Sequence, residues 1–287
     1  MSLEGKTVLL FGAGAIASGY APLFADEAEN IVIVSRGESS DRLAEAVKAR
    51  PACRANVIAV HADASDFVQV GRVYGETIDR FGKIDVVVNG SGGNNSVDNP
   101  RKVQERNPVV SGLDHFANLE PDVITQMFAS NLYSKVHSME HFARYLSHAQ
   151  HQGSVVNIAS MSGISPLSKV IFYSAANGAL ENFTRSAAAL FGKSRVGRVN
   201  SVAVGFIVGD QNRKLVLNAD GSYTPRGQEI IDNTALGRFL TPSDVAGHVP
   251  YLADASKSAA ITGHTLRVDG GFGIIDLSAT SGYNPLR

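Results

Sequence analysis

"KTVLLFGAGAIASG", residues 6–19, sets a run of aliphatic residues directly against a glycine-rich break, and a helical pattern follows the break. A short, nearly unbroken apolar run suits a strand buried on both faces of a parallel sheet, because such a strand has no face turned to water. Gly12, Gly14 and Gly19 then form a strand-to-helix turn poor in side chains, where backbone N–H groups and a helix amino terminus can meet a pyrophosphate. A tight turn that only packs a helix on a strand reads the same way, so the turn has to be judged by what surrounds it.

The surroundings repeat the unit. "IVIVS" (31–35), "NVIAVHA" (56–62), "IDVVVN" (84–89), "SVVNIA" (154–159), "RVNSVAV" (198–204) and "HTLRV" (264–268) alternate with helical patterns such as "SDRLAEAVKAR" and "SDFVQVGRVYGETIDRF". Ser65 and Asp66 are capping candidates for the second of these helices. The order predicts an α/β fold, a single Rossmann-like doubly wound parallel sheet of about seven strands with helices on both faces. No Ser/Gly- or Pro-rich linker divides the 287 residues, so one domain over residues 1–287 is expected.

Composition narrows the partners. With 26 basic against 27 acidic residues, the formal charge of -1 gives no bulk attraction to nucleic acid or to an anionic membrane. No apolar segment approaches the roughly 20 residues that a bilayer crossing needs, and the start, with Glu4 and an early glycine break, lacks the pattern of a signal peptide. Cys53, the only cysteine, cannot form an internal disulfide. A cytoplasmic enzyme acting on a small molecule is expected.

In a doubly wound sheet the ligand lies beyond the carboxyl ends of the strands. The tip of the second strand, Ser35 and Arg36, carries no acid to accept from a ribose 2′-hydroxyl and favours a 2′-phosphate, so NADP(H) is expected over NAD(H). Asp63, just past the third strand, has two readings: it accepts from an adenine amino group, or it caps a turn or helix.

"VNGSGG", "SNLYS", "VVNIASMSG" and "FYSAANGAL", in this order, resemble the short-chain dehydrogenase/reductase family, and the resemblance runs from "KTVLLFGAG" to "VDGGF". It implies a ketone–alcohol oxidoreductase using NAD(P). Carried over by position, Asn131 holds a helix kink and an ordered water, Ser160 orients the substrate carbonyl, and Tyr173, 13 residues after Ser160, exchanges a proton with it. The same resemblance assigns the cofactor to Gly12, Gly14, Ile16, Ser35, Arg36, Asp63, Ala64, Asn89, Ser91, Gly92, Tyr173, Gly205 and Ile207.

The chemistry needs such groups whatever the family. Hydride delivery to a ketone builds negative charge on oxygen, which two hydroxyls can meet by donation and positioning. In the oxidative direction the tyrosine must act as base, and at an ordinary pKa of about 10 only about 0.1% is phenolate at neutral pH. The family places a lysine four residues after the tyrosine, where it lowers that pKa and binds the nicotinamide ribose; here Asn177 stands there, able to hydrogen-bond but uncharged. Lys169, four residues before Tyr173, and Lys135, four after Asn131, are candidate substitutes, but both are expected at the surface, where lysines ordinarily lie. Two further departures mark the cofactor end: the glycine turn is one residue short and led by Phe11, and Val204 replaces a customary proline before Gly205. The alternative function is therefore a catalytically impaired member of the family serving as a nucleotide-binding or assembly protein.

Two long segments, near 93–119 and 206–240, read as lid or substrate loops. They resemble the sugar-acid branch of the family, the short-chain type of D-mannonate oxidoreductase (fructuronate reductase), which implies a sugar acid such as fructuronate or mannonate, or a related polyol. Such a ligand wants a cation with amide partners. Asn94 and Arg213 are the first candidates, ahead of Asn95, Gln211 and Asn212. His137 and His141 share one helix face but lack a third ligand, so no metal is expected. By resemblance, the long helices containing these histidines and Tyr173 form a dimer face, and a homodimer or homotetramer is expected.

Overall fold

The computed structural model describes residues 2–93, 116, 121–149, 151–209 and 212–275. Seven strands, β1 (Thr7–Phe11), β2 (Asn30–Ser35), β3 (Asn56–His61), β4 (Val86–Asn89), β5 (Gly153–Ser160), β6 (Gly197–Val204) and β7 (Thr265–Val268), form one sheet in the order β3-β2-β1-β4-β5-β6-β7. Every pairing is parallel. The order reverses between β1 and β4, which puts the switch point beside the glycine turn that ends β1.

The apolar runs work because successive side chains leave a strand on opposite faces. Val8, Leu10, Ile31 and Ile33 pack with Tyr20 and Phe24 of helix α1 (Ala15–Glu27) on one face. Leu9, Phe11, Val32 and Val34 pack on the other with Val70 and Tyr74. These two residues belong to α3 (Phe67–Phe81), which follows α2 (Ser39–Lys48) in the chain. Asp66 caps α3 as its position suggests, accepting from Val68 N (2.9 Å) and Gln69 N (3.0 Å), while Gly82 ends it at φ 75°.

β4 begins at Val86, two residues later than the apolar run suggests. Just before it, Asp85 is tied to the neighbouring chains by backbone and side chain together: its N–H donates to Thr7 O (3.0 Å), its carbonyl accepts from Ser154 N (2.9 Å), and its carboxylate takes the Thr7 N–H (3.0 Å) and the Lys6 ammonium (2.9 Å). After the fourth strand, 94–115 and 117–120 lie outside the described residues, and with them most of the first expected lid, including Asn94 and Asn95. Helix α4 (Pro121–Phe128) then passes through a wider π turn (Ala129–Tyr133) into α5 (Ser134–Leu146). The helix of Tyr173 is α6 (Ile171–Lys193). The segment near 206–240 is partly ordered into α7 (Arg213–Val216) and α8 (Pro225–Asp232). Among the described residues no helix is long and apolar enough to cross a membrane.

Candidate active site at the carboxyl edge of the sheet

Register places Phe11 beside Asn89, and Ser160 beside Val204, so the glycine turn, the β4 tip, Ser160 and Gly205 all emerge along one edge. A cavity of about 410 Å³ opens there. A larger groove of about 760 Å³ runs along β3 between α2 and α3 and holds none of the candidate residues.

The two glycines of the first turn do different work. Gly12 has φ 107°, and a Cβ on it would stand 2.6 Å from the Gly90 carbonyl carbon, so it is required where the β1 and β4 tips nearly touch. Among the described residues no atom lies within 4 Å of such a Cβ on Gly14, whose backbone angle is ordinary, φ -87°. Nothing in the packing asks for glycine there. Gly14 lies at the start of α1 with no side-chain cap and no acid in the first turn, and it lines the cavity with Ala15 and Ile16. An uncapped helix start of this kind leaves N–H groups and the positive end of the helix dipole facing the cavity, which suits a pyrophosphate.

Asn131 fixes the floor. Its Nδ2 donates to Gly93 O (2.9 Å) and Met127 O (3.0 Å), and its Oδ1 accepts from Gly93 N (2.9 Å). The reciprocal pair with Gly93 ties the π turn to the chain leaving β4, and the wider turn lets a buried side chain take up the Met127 carbonyl. One helical turn on, Lys135 is only 2% exposed, contrary to the surface position expected of it. Its ammonium donates to Ser91 O and Ser130 O, and Nζ stands 2.8 Å from where a Gly92 Cβ would be. Helical spacing from Asn131 carries it inward, onto the face already held against the β4 tip. Burial pulls the Lys135 ammonium down to about 7. The Lys169 side chain lies outside what is described.

Ser160 ends β5 and accepts from Ser162 N (3.2 Å), which leaves its hydroxyl proton available to the cavity. Tyr173 and Asn177 line the same space from α6. Desolvation raises the Tyr173 phenol above its ordinary range, and hydrogen bonding by the Ser160 and Asn177 side chains offsets part of the rise. Asn177 also donates to Tyr173 O at 3.0 Å and is buried. The arrangement can donate two hydroxyl hydrogens to one oxygen, with an amide behind them.

The remaining candidates divide. Ser91, Gly92, Gly205 and Ile207 line the cavity; Gly12, Ser35, Arg36, Asp63, Ala64 and Asn89 do not. Ser35 is engaged as a cap of α2, donating to Gly37 O (2.6 Å) and accepting from Ser39 Oγ and Ser40 N (both 2.9 Å). Arg36 is exposed beyond the β2 tip. Asp63 accepts from Ser65 N (2.8 Å) and Ser65 Oγ (2.7 Å) at Oδ1. Asn89 donates to Asn157 Oδ1 (2.9 Å) inside the sheet, and Asn157 donates to Thr184 (3.0 Å), a buried chain that fixes β4, β5 and α6 together. Arg213 is exposed and outside the lining, whereas Asn212 and Arg226 line it. Arg226 carried no sequence signal, since only the fold of the segment near 206–240 brings α8 over the site. Gln211 lies outside the described residues. His141 packs on Phe67 and bonds its carbonyl (3.0 Å), and His137 meets the same ring edge-on.

A family model described as enoyl-(acyl carrier protein) reductase matches residues 12–273. The uncharacterised oxidoreductase UxuB of Bacillus subtilis is 34% identical over 272 residues, covering 94% of this chain and 96% of its own. A 2-dehydro-3-deoxy-D-gluconate 5-dehydrogenase of Dickeya dadantii is 28% identical, with 94% and 96% covered. Among solved structures, a Haemophilus influenzae protein provisionally named a D-mannonate oxidoreductase, with bound NAD, superposes with a TM-score of 0.81 at 28% identity, covering 96% of this chain and 97% of that one. Matched from the glycine turn to the last strand and aligned with such relatives over nearly its whole length, the chain belongs to the short-chain dehydrogenase/reductase family of oxidoreductases.

Proposed function

We propose that the protein is an NADP(H)-preferring oxidoreductase that interconverts a ketone and a secondary alcohol on a sugar acid or related polyol, with Tyr173 as proton donor and acceptor. The observation that carries this reading is the meeting of Ser160, Tyr173 and Asn131, from three separate parts of the chain, in one cavity opposite the uncapped start of α1. A bound nicotinamide supplies or accepts the hydride. Gly14, Ile16, Ser91 and Gly92 hold the dinucleotide along the β1 and β4 tips, and Arg36 favours a 2′-phosphate. Ser160 donates to the carbonyl oxygen and orients it, and Tyr173 gives its proton to the same oxygen as negative charge develops.

The sugar-acid class draws on the names of the Dickeya and Haemophilus relatives and on the lining itself, which holds Arg226 and Lys135 and no carboxylate among the described residues. Asn94 and Arg213 remain substrate candidates from the two flanking segments. The protein works in the cytoplasm as a homodimer or homotetramer through the α5 and α6 faces. Retention of the Ser160–Tyr173 pair favours an enzyme over a family member that only binds nucleotide. The test is Tyr173→Phe: turnover should fall about 10²- to 10⁴-fold while dinucleotide affinity stays within about threefold. Unchanged turnover would remove Tyr173 from the chemistry.

A further inference from the structure

The site has a cation in an unexpected place. Lys135 is buried against the cavity with two backbone carbonyls, Ser91 O and Ser130 O, as its hydrogen-bond partners and no carboxylate partner among the described residues. An ammonium has three donors, so two carbonyls leave one for the cavity it lines. Burying a charge without a counter-charge is costly, and a residue kept for packing alone would be better apolar. Asn177, by contrast, is neutral and its amide is already engaged with Tyr173. Among the described residues, the other titratable side chains that line the cavity are Tyr173 on α6, Tyr20 on α1 and Arg226 on α8, none of them a carboxylate.

We propose that Lys135 is the buried cation of this site: reaching the cavity from the helix of Asn131, it hydrogen-bonds oxygens of the bound dinucleotide in the space it shares with Tyr173 and holds there the positive charge that Asn177 cannot supply. The inference rests on the reading of the cavity as a dinucleotide site. Its physical content is a linkage. In the ligand-free protein burial holds Lys135 near 7, so at pH 8 it is mostly neutral. An anionic, hydroxyl-bearing ligand placed against it favours the charged form, and binding must then draw a proton from solvent. The charge so gained stabilises the phenolate form of Tyr173 through the low-dielectric cavity.

Calorimetric titration with NADPH at pH 8, in two buffers of different ionisation enthalpy, reads this directly. The wild type should take up roughly half to one proton per dinucleotide bound. Lys135→Met should bind about tenfold more weakly with no proton uptake, and adding Asn177→Lys to that variant should restore oxidation by at least tenfold at neutral pH. Binding by the wild type without proton uptake overturns the inference and leaves the dinucleotide reading standing, as does the same uptake in a folded Lys135→Met. No binding at all by the folded wild type sinks the dinucleotide reading and takes the inference with it. If Lys135→Met does not fold, the wild-type titration in two buffers still decides.

Discussion

Tyr173 enters the cavity with its proton held more firmly than a free phenol, because burial disfavours the charged form and Ser160 and Asn177 recover only part of the loss. A raised pKa favours the acid role: below it the phenol is protonated, so the reduction rate should be flat from about pH 6 to 9. It penalises the base role, since phenolate grows tenfold per pH unit only until the pKa is reached. In Lys135→Met, oxidation should therefore climb about one decade per unit through pH 10, whereas the wild type levels off earlier; a pH–rate profile checks both. Identical profiles would mean that Lys135 does not act on Tyr173. Ser160 and Tyr173 were readable as residues of one cavity because their spacing is local, and Asn131 because its motif is. Lys135 was misjudged as a surface residue because its burial depends on the π turn and on the β4 tip, contacts far apart in sequence that no local pattern reports.

The strand–turn–helix unit that opens the chain gives a paired test. Gly12→Ala forces a side chain onto φ 107° and within 2.6 Å of the Gly90 backbone, so it should destabilise the fold by about 1–2 kcal/mol or more, seen as a lowered melting temperature. Gly14→Ala meets nothing within 4 Å and should leave the melting temperature nearly unchanged while weakening dinucleotide binding at least tenfold. The reverse pattern would mean that the start of α1 does not face the ligand. Asn131→Ala removes the reciprocal pair with Gly93 and leaves half-buried backbone groups without that partner, at a cost of about 1 kcal/mol by denaturant unfolding. The glycines were visible in the sequence as a pair; only their surroundings separate the one that packing requires from the one that the cavity does.

Across the molecule, the sheet was legible because each strand is an apolar run with partners on both faces, and β1 shows it by sending Val8 and Leu10 to one core and Leu9 and Phe11 to the other. The start of β4 was less so, since the apolar run does not show that Asp85 binds Thr7 through its carboxylate as well as its backbone. Arg226 was not legible at all, because the cavity is assembled from both ends of the sheet edge and from a segment whose own pattern says only that it is long. The uncapped α1, the bare Gly14 and a lining that, among the described residues, holds cations and no acid all point to an anionic dinucleotide at the switch point. Titration of the wild type and Gly14→Ala with NADPH and with NADH, followed by nicotinamide fluorescence, tests this most directly. Saturable binding to the wild type, tighter for NADPH and at least tenfold weaker in the folded Gly14→Ala, is the expected result; a folded wild type that binds neither nucleotide, or binds both as Gly14→Ala does, would contradict it.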